Sequence, residues 1–205
     1  MDSIGEFLKA LYDPQKLTEL IKAGGLPVLF AIVFSETGLM VGFFLPGDSL
    51  LVAAGILSGS EQGILDPWAL FGFLSLAAVL GDNTGYWIGR RGGPLVFRRP
   101  KSLLFNPAHV ERAHRFYEKY GGKTVVIARF VPIVRTFGPV VAGVGKMEWP
   151  RYLCYSVSGG LLWIGSMTAI GFFLGSIQGV TRYLHLIILA VIVLDMSRVA
   201  HRPAL

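Results

Sequence analysis

Two arginines and two prolines lie within one apolar stretch of the chain, residues 128–139. A charge at the centre of a membrane costs about 2.5–3.5 kcal/mol on insertion scales, so Arg129 and Arg135 indicate a functional site. Pro132 and Pro139 each remove a backbone donor and are expected to break a helix. Broken backbone survives at membrane depth only where protein or a watery cavity surrounds it. The stretch therefore predicts a re-entrant hairpin that carries two guanidinium groups into the membrane.

A second apolar block, residues 26–58, contains two carboxylates, Glu36 and Asp48. Its Pro46 and Gly47 form a turn signal, so we expect a second hairpin with these two residues as its breakers. A helical arm of about ten residues rises about 15 Å, which is half the hydrocarbon thickness of a bilayer. The tips of the two hairpins can therefore meet in mid-membrane, where opposite charges would neutralise each other.

These residue types suit anion binding coupled to proton exchange. Guanidinium groups present forked donors that match a phosphate, so Arg129 and Arg135 are predicted to bind a phosphate headgroup. Carboxylates in a low-dielectric site are poised to exchange protons, which assigns Glu36 and Asp48 to proton coupling. The structural alternative is a set of salt bridges that only lock the hairpins together. Asp82 is either a third proton-active acid or the cap of a helix break.

Composition places the chain among membrane proteins. Of its 205 residues, 53% are hydrophobic, and the mean hydropathy is +0.57. The formal net charge of +6 is assigned to topology and anionic lipid, and no nucleic acid is expected. His109 and His114 are five residues apart, which does not place them on one helix face, so neither a metal nor another cofactor is expected. No catalytic motif is present, and the chain is not expected to be an enzyme.

The expected fold is an all-α polytopic membrane protein made of one domain, 1–205. Apolar periodicity and turn signals divide it into seven segments. These are an amphipathic N-terminal helix (1–24), a first re-entrant hairpin (26–58), a spanning helix (68–89), a basic segment (90–123), a second re-entrant hairpin (124–146) and two further spanning helices (150–175 and 183–198).

Charge asymmetry sets the expected orientation. No Lys or Arg occurs between Lys22 and Arg90, whereas residues 90–123 contain nine Lys or Arg and two Glu. The positive-inside rule places this basic segment, and with it the C-terminus, in the cytoplasm. The two hairpins then enter from opposite faces, which is the arrangement of an inverted repeat with its site near the midplane. The sequence leaves a homo-oligomer open.

Several motifs, in order and at fitting intervals, resemble those of the DedA family of bacterial inner-membrane proteins over roughly residues 20–195. They are Glu36-Thr-Gly, Phe43-Phe-Leu-Pro-Gly-Asp-Ser-Leu-Leu51, Gly81-Asp82, Tyr86-Trp-Ile-Gly-Arg90, Phe116-Tyr-Glu-Lys-Tyr-Gly-Gly-Lys123 and Ala128-Arg-Phe-Val-Pro-Ile-Val-Arg-Thr-Phe137. The resemblance implies the paired-hairpin fold shared with eukaryotic VTT-domain scramblases. It also implies that Glu36, Asp48, Arg129 and Arg135 are the essential charges.

The same resemblance implies a lipid translocase that depends on the proton motive force. Family members move undecaprenyl phosphate, and others move phosphatidylethanolamine, so the expected partners are membrane phospholipids or a polyprenyl phosphate, together with protons. Three other functions stay open. They are a proton-coupled transporter of a small solute, a membrane enzyme such as a lipid phosphatase, and a structural or regulatory partner protein.

Overall fold

The computed structural model describes residues 14–39, 47–60, 63–97 and 123–177, and every regular element in these ranges is a helix. Six helices occur in them, and we number them in chain order. They are α1 (Pro14–Gly38), α2 (Gly47–Gly59), α3 (Pro67–Phe97), α4 (Lys123–Ala128), α5 (Pro132–Val144) and α6 (Trp149–Gly175).

Local chemistry explains where several helices begin and bend. At the start of α3 the Asp66 carboxylate accepts a 2.7 Å hydrogen bond from the amide of Ala69, and Pro67 occupies the first helical position. This is the usual combination of cap and proline at a helix N-terminus. Within α1, Gly25 has a φ of 54°, a left-handed value that favours glycine. The amphipathic helix predicted for 1–24 and the block that follows it therefore meet at a kink.

Two helical stretches of the described chain are long and apolar enough to cross a membrane, Glu19–Gly38 and Trp149–Gly175. The second contains the segment 150–175 that was predicted as a span. The span predicted for 68–89 lies within α3 but does not qualify, because the polar run that begins at Asp82 lowers its hydropathy. Helix α3 also continues to Phe97, so the basic segment predicted to begin at residue 90 starts inside this helix.

The predicted hairpin breakers have different outcomes. The chain bends between α4 and α5, and Pro132 is the first residue of α5. Pro139 was wrongly predicted as a breaker, because α5 continues through it to Val144. A single proline removes only one hydrogen bond of the helical ladder, and packing on neighbouring helices holds the remaining turns. Gly47 is the first residue of α2, whereas Pro46 lies outside the described residues.

Two predicted segments cannot be compared with the structure. The span 183–198 and most of the basic segment, including both histidines at 109 and 114, lie outside the described residues. The same holds for the first thirteen residues of the N-terminal helix.

The chain forms two compact units. Among the described residues, the first unit contains 14–33, 47–60, 63–76 and 164–177. The second unit contains 34–39, 77–97 and 123–163. In the first unit α2 packs closely on the C-terminal part of α6. A Cβ on Gly55 would lie 2.5 Å from the carbonyl oxygen of Thr168, so only glycine fits there. Leu50, Leu51 and Ile56 on α2 are fully buried.

In the second unit a glycine also allows two helices to pack closely. Helix α5 crosses the C-terminal part of α3, and a Cβ on Gly143 would overlap the carbonyl oxygen of Tyr86 and lie 2.8 Å from the amide of Arg90. Tyr86 stacks on Tyr152 with ring centroids 4.6 Å apart. Its hydroxyl donates a 2.5 Å hydrogen bond to the carbonyl of Met147, in the loop that follows α5. Small residues thus bring two backbones together in each unit.

We expect Gly143→Ala to destabilise the protein, because its methyl group has no space beside Tyr86. Overpacking of this kind typically costs about 1–3 kcal/mol. Gly138→Ala on the same helix is the matched control, since a Cβ there meets nothing within 4 Å. Thermal unfolding of the purified protein in detergent checks both variants. Equal melting temperatures for the two would contradict this packing.

Candidate functional site

Both arginines of the broken stretch are buried within the second unit. Helix α4 ends at Ala128, and two tight backbone bonds turn the chain there, from Arg129 N to Val126 O (3.3 Å) and from Phe130 N to Ile127 O (3.1 Å). Arg129 therefore lies in the bend, and Arg135 lies in the first turns of α5. Their exposed fractions are 3% and 5%. Two charges this deeply buried need partners within the protein.

Arg129 pairs with Asp82 of α3. Its Nη2 forms a direct ion pair with Asp82 Oδ2 and lies 3.3 Å from Ser156 Oγ. The Ser156 hydroxyl donates a 2.5 Å hydrogen bond to the same carboxylate oxygen. Tyr152, one turn earlier on α6, donates to the backbone carbonyl of Asp82 at 3.3 Å. Side chains from α6 and the bend thus converge on Asp82 of α3, which is 2% exposed.

Two adjacent glycines of α6 make room for the Arg129 side chain. A Cβ on Gly159 would lie 3.1 Å from Arg129 Cδ, and a Cβ on Gly160 would lie 3.5 Å from its Cζ. A Cβ at Gly159 would be closer to Arg129 than ordinary contact allows, so a side chain there would displace the arginine, whereas a Cβ at Gly160 would make ordinary van der Waals contact. The glycines therefore position the arginine as well as allowing the helices to approach.

Arg135 pairs with Glu36 near the end of α1. Its Nη2 lies 2.5 Å from Glu36 Oε1, and both side chains are buried. The guanidinium carbon lies 4.3 Å from the centre of the Trp163 ring, within the range of a cation–π contact. Trp163 itself is fully buried. The tryptophan covers one face of the guanidinium and leaves its edges for hydrogen bonding.

The two arginines line one small cavity. Its volume is about 10 Å³, which is close to the space that a single water needs. Its lining residues are Asp82, Val125, Arg129, Val134, Arg135, Gly138 and Pro139. Arg129 Nη1 is buried and has no hydrogen-bond partner among the described residues. Two guanidiniums thus lie next to one cavity that is closed in this conformation.

The predicted acids occupy different places. Glu36 pairs with Arg135, and Asp82 pairs with Arg129. Asp48 lies in the first compact unit, half-buried in the first turn of α2. The alternative that Asp82 caps a helix break is wrong, because α3 runs without interruption through that residue. No group of three His, Cys, Asp or Glu that could hold a metal occurs in the described part of the chain.

Sequence reasoning missed Ser156, Trp163 and the pair of glycines on α6. An isolated serine or tryptophan in an apolar helix has no distinguishing pattern. The pairing of Asp82 with an arginine could have been predicted, because an acid inside an apolar 22-residue segment needs a buried cation as partner.

Comparisons with known proteins find relatives that are named as membrane proteins. The family model described as the VTT domain matches residues 45–179. The chain is 44% identical over 183 residues to Protein DedA of Escherichia coli (strain K12), covering 88% of this chain and 84% of that protein. It is 45% identical over 171 residues to an uncharacterized membrane protein of Mycobacterium tuberculosis (strain ATCC 25618 / H37Rv), covering 83% of this chain and 75% of that protein. No solved structure matches the chain.

Apolar helices that bury paired charges define a membrane protein with an internal polar site. The chain belongs to the VTT-domain family, the family of DedA. The resemblance stated from the sequence motifs is therefore confirmed.

Double-mutant cycles test the two ion pairs. Arg129→Gln leaves Asp82 as an uncompensated buried charge and should lower stability by about 3–5 kcal/mol. Combining it with Asp82→Asn should recover part of that loss, and Glu36→Gln with Arg135→Gln should behave in the same way. The crossed combination, Glu36→Gln with Arg129→Gln, serves as the control and should be closer to additive. Thermal unfolding of the purified protein in detergent gives the couplings. A crossed coupling larger than those within the pairs would refute the assignment.

Proposed function

We propose that the protein is a translocase for a phosphate-headed lipid such as undecaprenyl phosphate, and that it depends on the proton motive force. One observation carries the proposal. Two buried guanidiniums line a single closed cavity, and each is held by a buried carboxylate. Salt bridges with a purely structural role would not require both cations to line one cavity. Recognition of a phosphate group does require two cations close together.

Binding requires the cavity to open, because about 10 Å³ cannot hold a phosphate group. The bend between α4 and α5 is the natural hinge, since both arginines lie at or just after it. Opening there would expose Arg129 and Arg135 together to a headgroup, while the hydrocarbon tail stays in the bilayer.

The two arginines have different tasks in this mechanism. Arg129 can contact a phosphate through Nη1 while Nη2 stays on Asp82, so its ion pair need not break. The Nη2 of Arg135 is held by Glu36 and must exchange a carboxylate for a phosphate. Protonation of Glu36 removes the competing charge and frees Arg135 for the headgroup. Return of the proton to the opposite side would restore the pair and release the lipid. Asp48 is proposed as a second proton-coupling acid.

Flipping of labelled lipids in proteoliposomes tests the proposal. Arg135→Ala should lower the flipping rate of undecaprenyl phosphate by about 10- to 100-fold, the usual value of a charged hydrogen bond. Arg135→Lys should also impair it, because an ammonium group cannot form the forked contact. Glu36→Gln should weaken the dependence on a pH gradient, since an amide exchanges no proton and only Asp48 would remain to couple.

Arg151→Ala is the matched control, because it removes an exposed arginine of α6 outside the cavity. Undiminished flipping in Arg135→Ala, or an unchanged dependence on the pH gradient in Glu36→Gln, would refute the mechanism. Two further measurements distinguish the alternatives. One uses phosphatidylethanolamine as a competing substrate, and the other measures proton flux without any lipid substrate. Faster movement of phosphatidylethanolamine would reassign the lipid, and proton flux without any lipid would indicate a solute transporter.

The proposed location is the bacterial inner membrane, with the C-terminus in the cytoplasm. The support is the basic segment that follows α3 and the absence of Lys or Arg between residues 22 and 90. A C-terminal reporter that is active only outside the cytoplasm should stay silent, and an active reporter would invert the topology.

A further inference from the structure

A second cleft, separate from the ion pairs, lies along α3 in the second compact unit. Its volume is about 530 Å³, within the range of about 300–1,000 Å³ that is usual for ligand sites. It is lined by Phe34, Leu80, Asn83, Thr84, Trp87, Ile88 and Arg91. Three of these residues, Leu80, Trp87 and Ile88, are more than 40% exposed. In a membrane protein such a surface faces lipid.

The uncharged polar side chains of the cleft use their hydrogen-bonding groups within the protein. Thr84 Oγ1 donates to the carbonyl of Leu80 at 2.9 Å. Asn83 Nδ2 donates to the carbonyl of Val79 at 2.8 Å, and Asn83 Oδ1 accepts from Trp149 Nε1 at 2.9 Å. Each of these groups therefore has a partner within the protein, which lowers the cost of placing hydrocarbon beside it.

The charged end of the cleft is different. Arg91 is exposed, and its guanidinium carbon lies 5.7 Å from the centre of the Trp87 ring. The ring covers one face of the guanidinium and leaves its edges accessible. Within the described ranges no carboxylate or carbonyl accepts a hydrogen bond from Arg91. A ligand in the cleft would therefore meet a cation with unused donors at this end.

The neighbouring Arg90 is exposed as well, but its guanidinium is hydrogen-bonded within the protein. Arg90 Nη1 donates to the hydroxyl of Tyr86 at 2.9 Å and lies 3.2 Å from the carbonyl of Met147. Arg90 thereby holds the loop after α5, whereas Arg91 extends into the cleft.

The length of the cleft matches one leaflet of a bilayer. Leu80 and Arg91 are eleven residues apart on a continuous helix, which corresponds to about 16 Å at 1.5 Å per residue. Half of the hydrocarbon core is about 15 Å thick. When Arg91 lies at the headgroup level, Leu80 and Phe34 lie near the middle of the bilayer.

We propose that this cleft binds one anionic phospholipid, with its phosphate on Arg91 and one acyl chain along α3 towards Leu80. The occupant must supply a negative charge at one end and about one leaflet of hydrocarbon at the other, and a phospholipid does both. The ion pairs of Arg129 and Arg135 take no part in this site. The proposal therefore stands whether or not the protein transports lipids.

Tryptophan quenching by brominated lipids tests the site directly. The full-length protein is placed in detergent micelles with phosphatidylglycerol brominated on its acyl chains, or with equally brominated phosphatidylcholine. The component of quenching that is lost in Trp87→Phe reports the cleft. We expect that component to favour phosphatidylglycerol about fivefold, the usual effect of one basic residue at an anionic surface.

Arg91→Ala should abolish this preference, and Arg91→Lys should retain most of it because it keeps the charge. Arg151→Ala removes an exposed arginine outside the cleft and should leave the preference intact. Equal quenching of the Trp87 component by the two lipids overturns the proposal. A preference that survives Arg91→Ala overturns it as well, since the anion must then bind elsewhere.

Discussion

The compensation of buried charge is the constraint on which the second unit depends. An uncompensated ion in a low-dielectric interior is costly enough that the structure must supply it with a counter-ion or water. Arg129 and Arg135 each meet one carboxylate, and the four charges sum to zero within a volume from which water is almost excluded. Any ligand that enters this site must also keep the charge balanced. A phosphate can do so only if a carboxylate accepts a proton or leaves, which links anion binding to proton transfer.

Close packing of backbones fixes the positions of these charges. Gly143 brings α5 against α3, and Gly159 with Gly160 gives the Arg129 side chain its space beside α6. Trp163 covers one face of the Arg135 guanidinium, so the residue keeps a defined orientation. Because the helices are held so closely, small movements at the bend before Pro132 would change the cavity sharply. The glycines that look like mere packing residues in the sequence are therefore part of the site.

The sequence predicted a break at Pro132, and the chain bends immediately before that residue. The prediction was possible because a proline next to arginines is rarely stable in an uninterrupted membrane helix. The sequence predicted the second breaker wrongly, since Pro139 removes one hydrogen bond from a helix that packing otherwise supports. It left the role of Asp82 open between two alternatives. Helical spacing does not specify which acid meets which arginine, because that depends on the crossing of α3, α5 and α6. Trp163 and Ser156 could not be predicted at all, since their roles exist only through contacts between distant segments.

The central claim is that a lipid phosphate displaces Glu36 from Arg135 as Glu36 takes up a proton. Infrared difference spectroscopy of the reconstituted protein measures this event directly, by comparing spectra with and without undecaprenyl phosphate. The account predicts that lipid binding converts one carboxylate band into a protonated carboxyl band, and that the change is absent in Glu36→Gln. Lipid binding that leaves every carboxylate band unchanged, or the same change in Glu36→Gln, would contradict it.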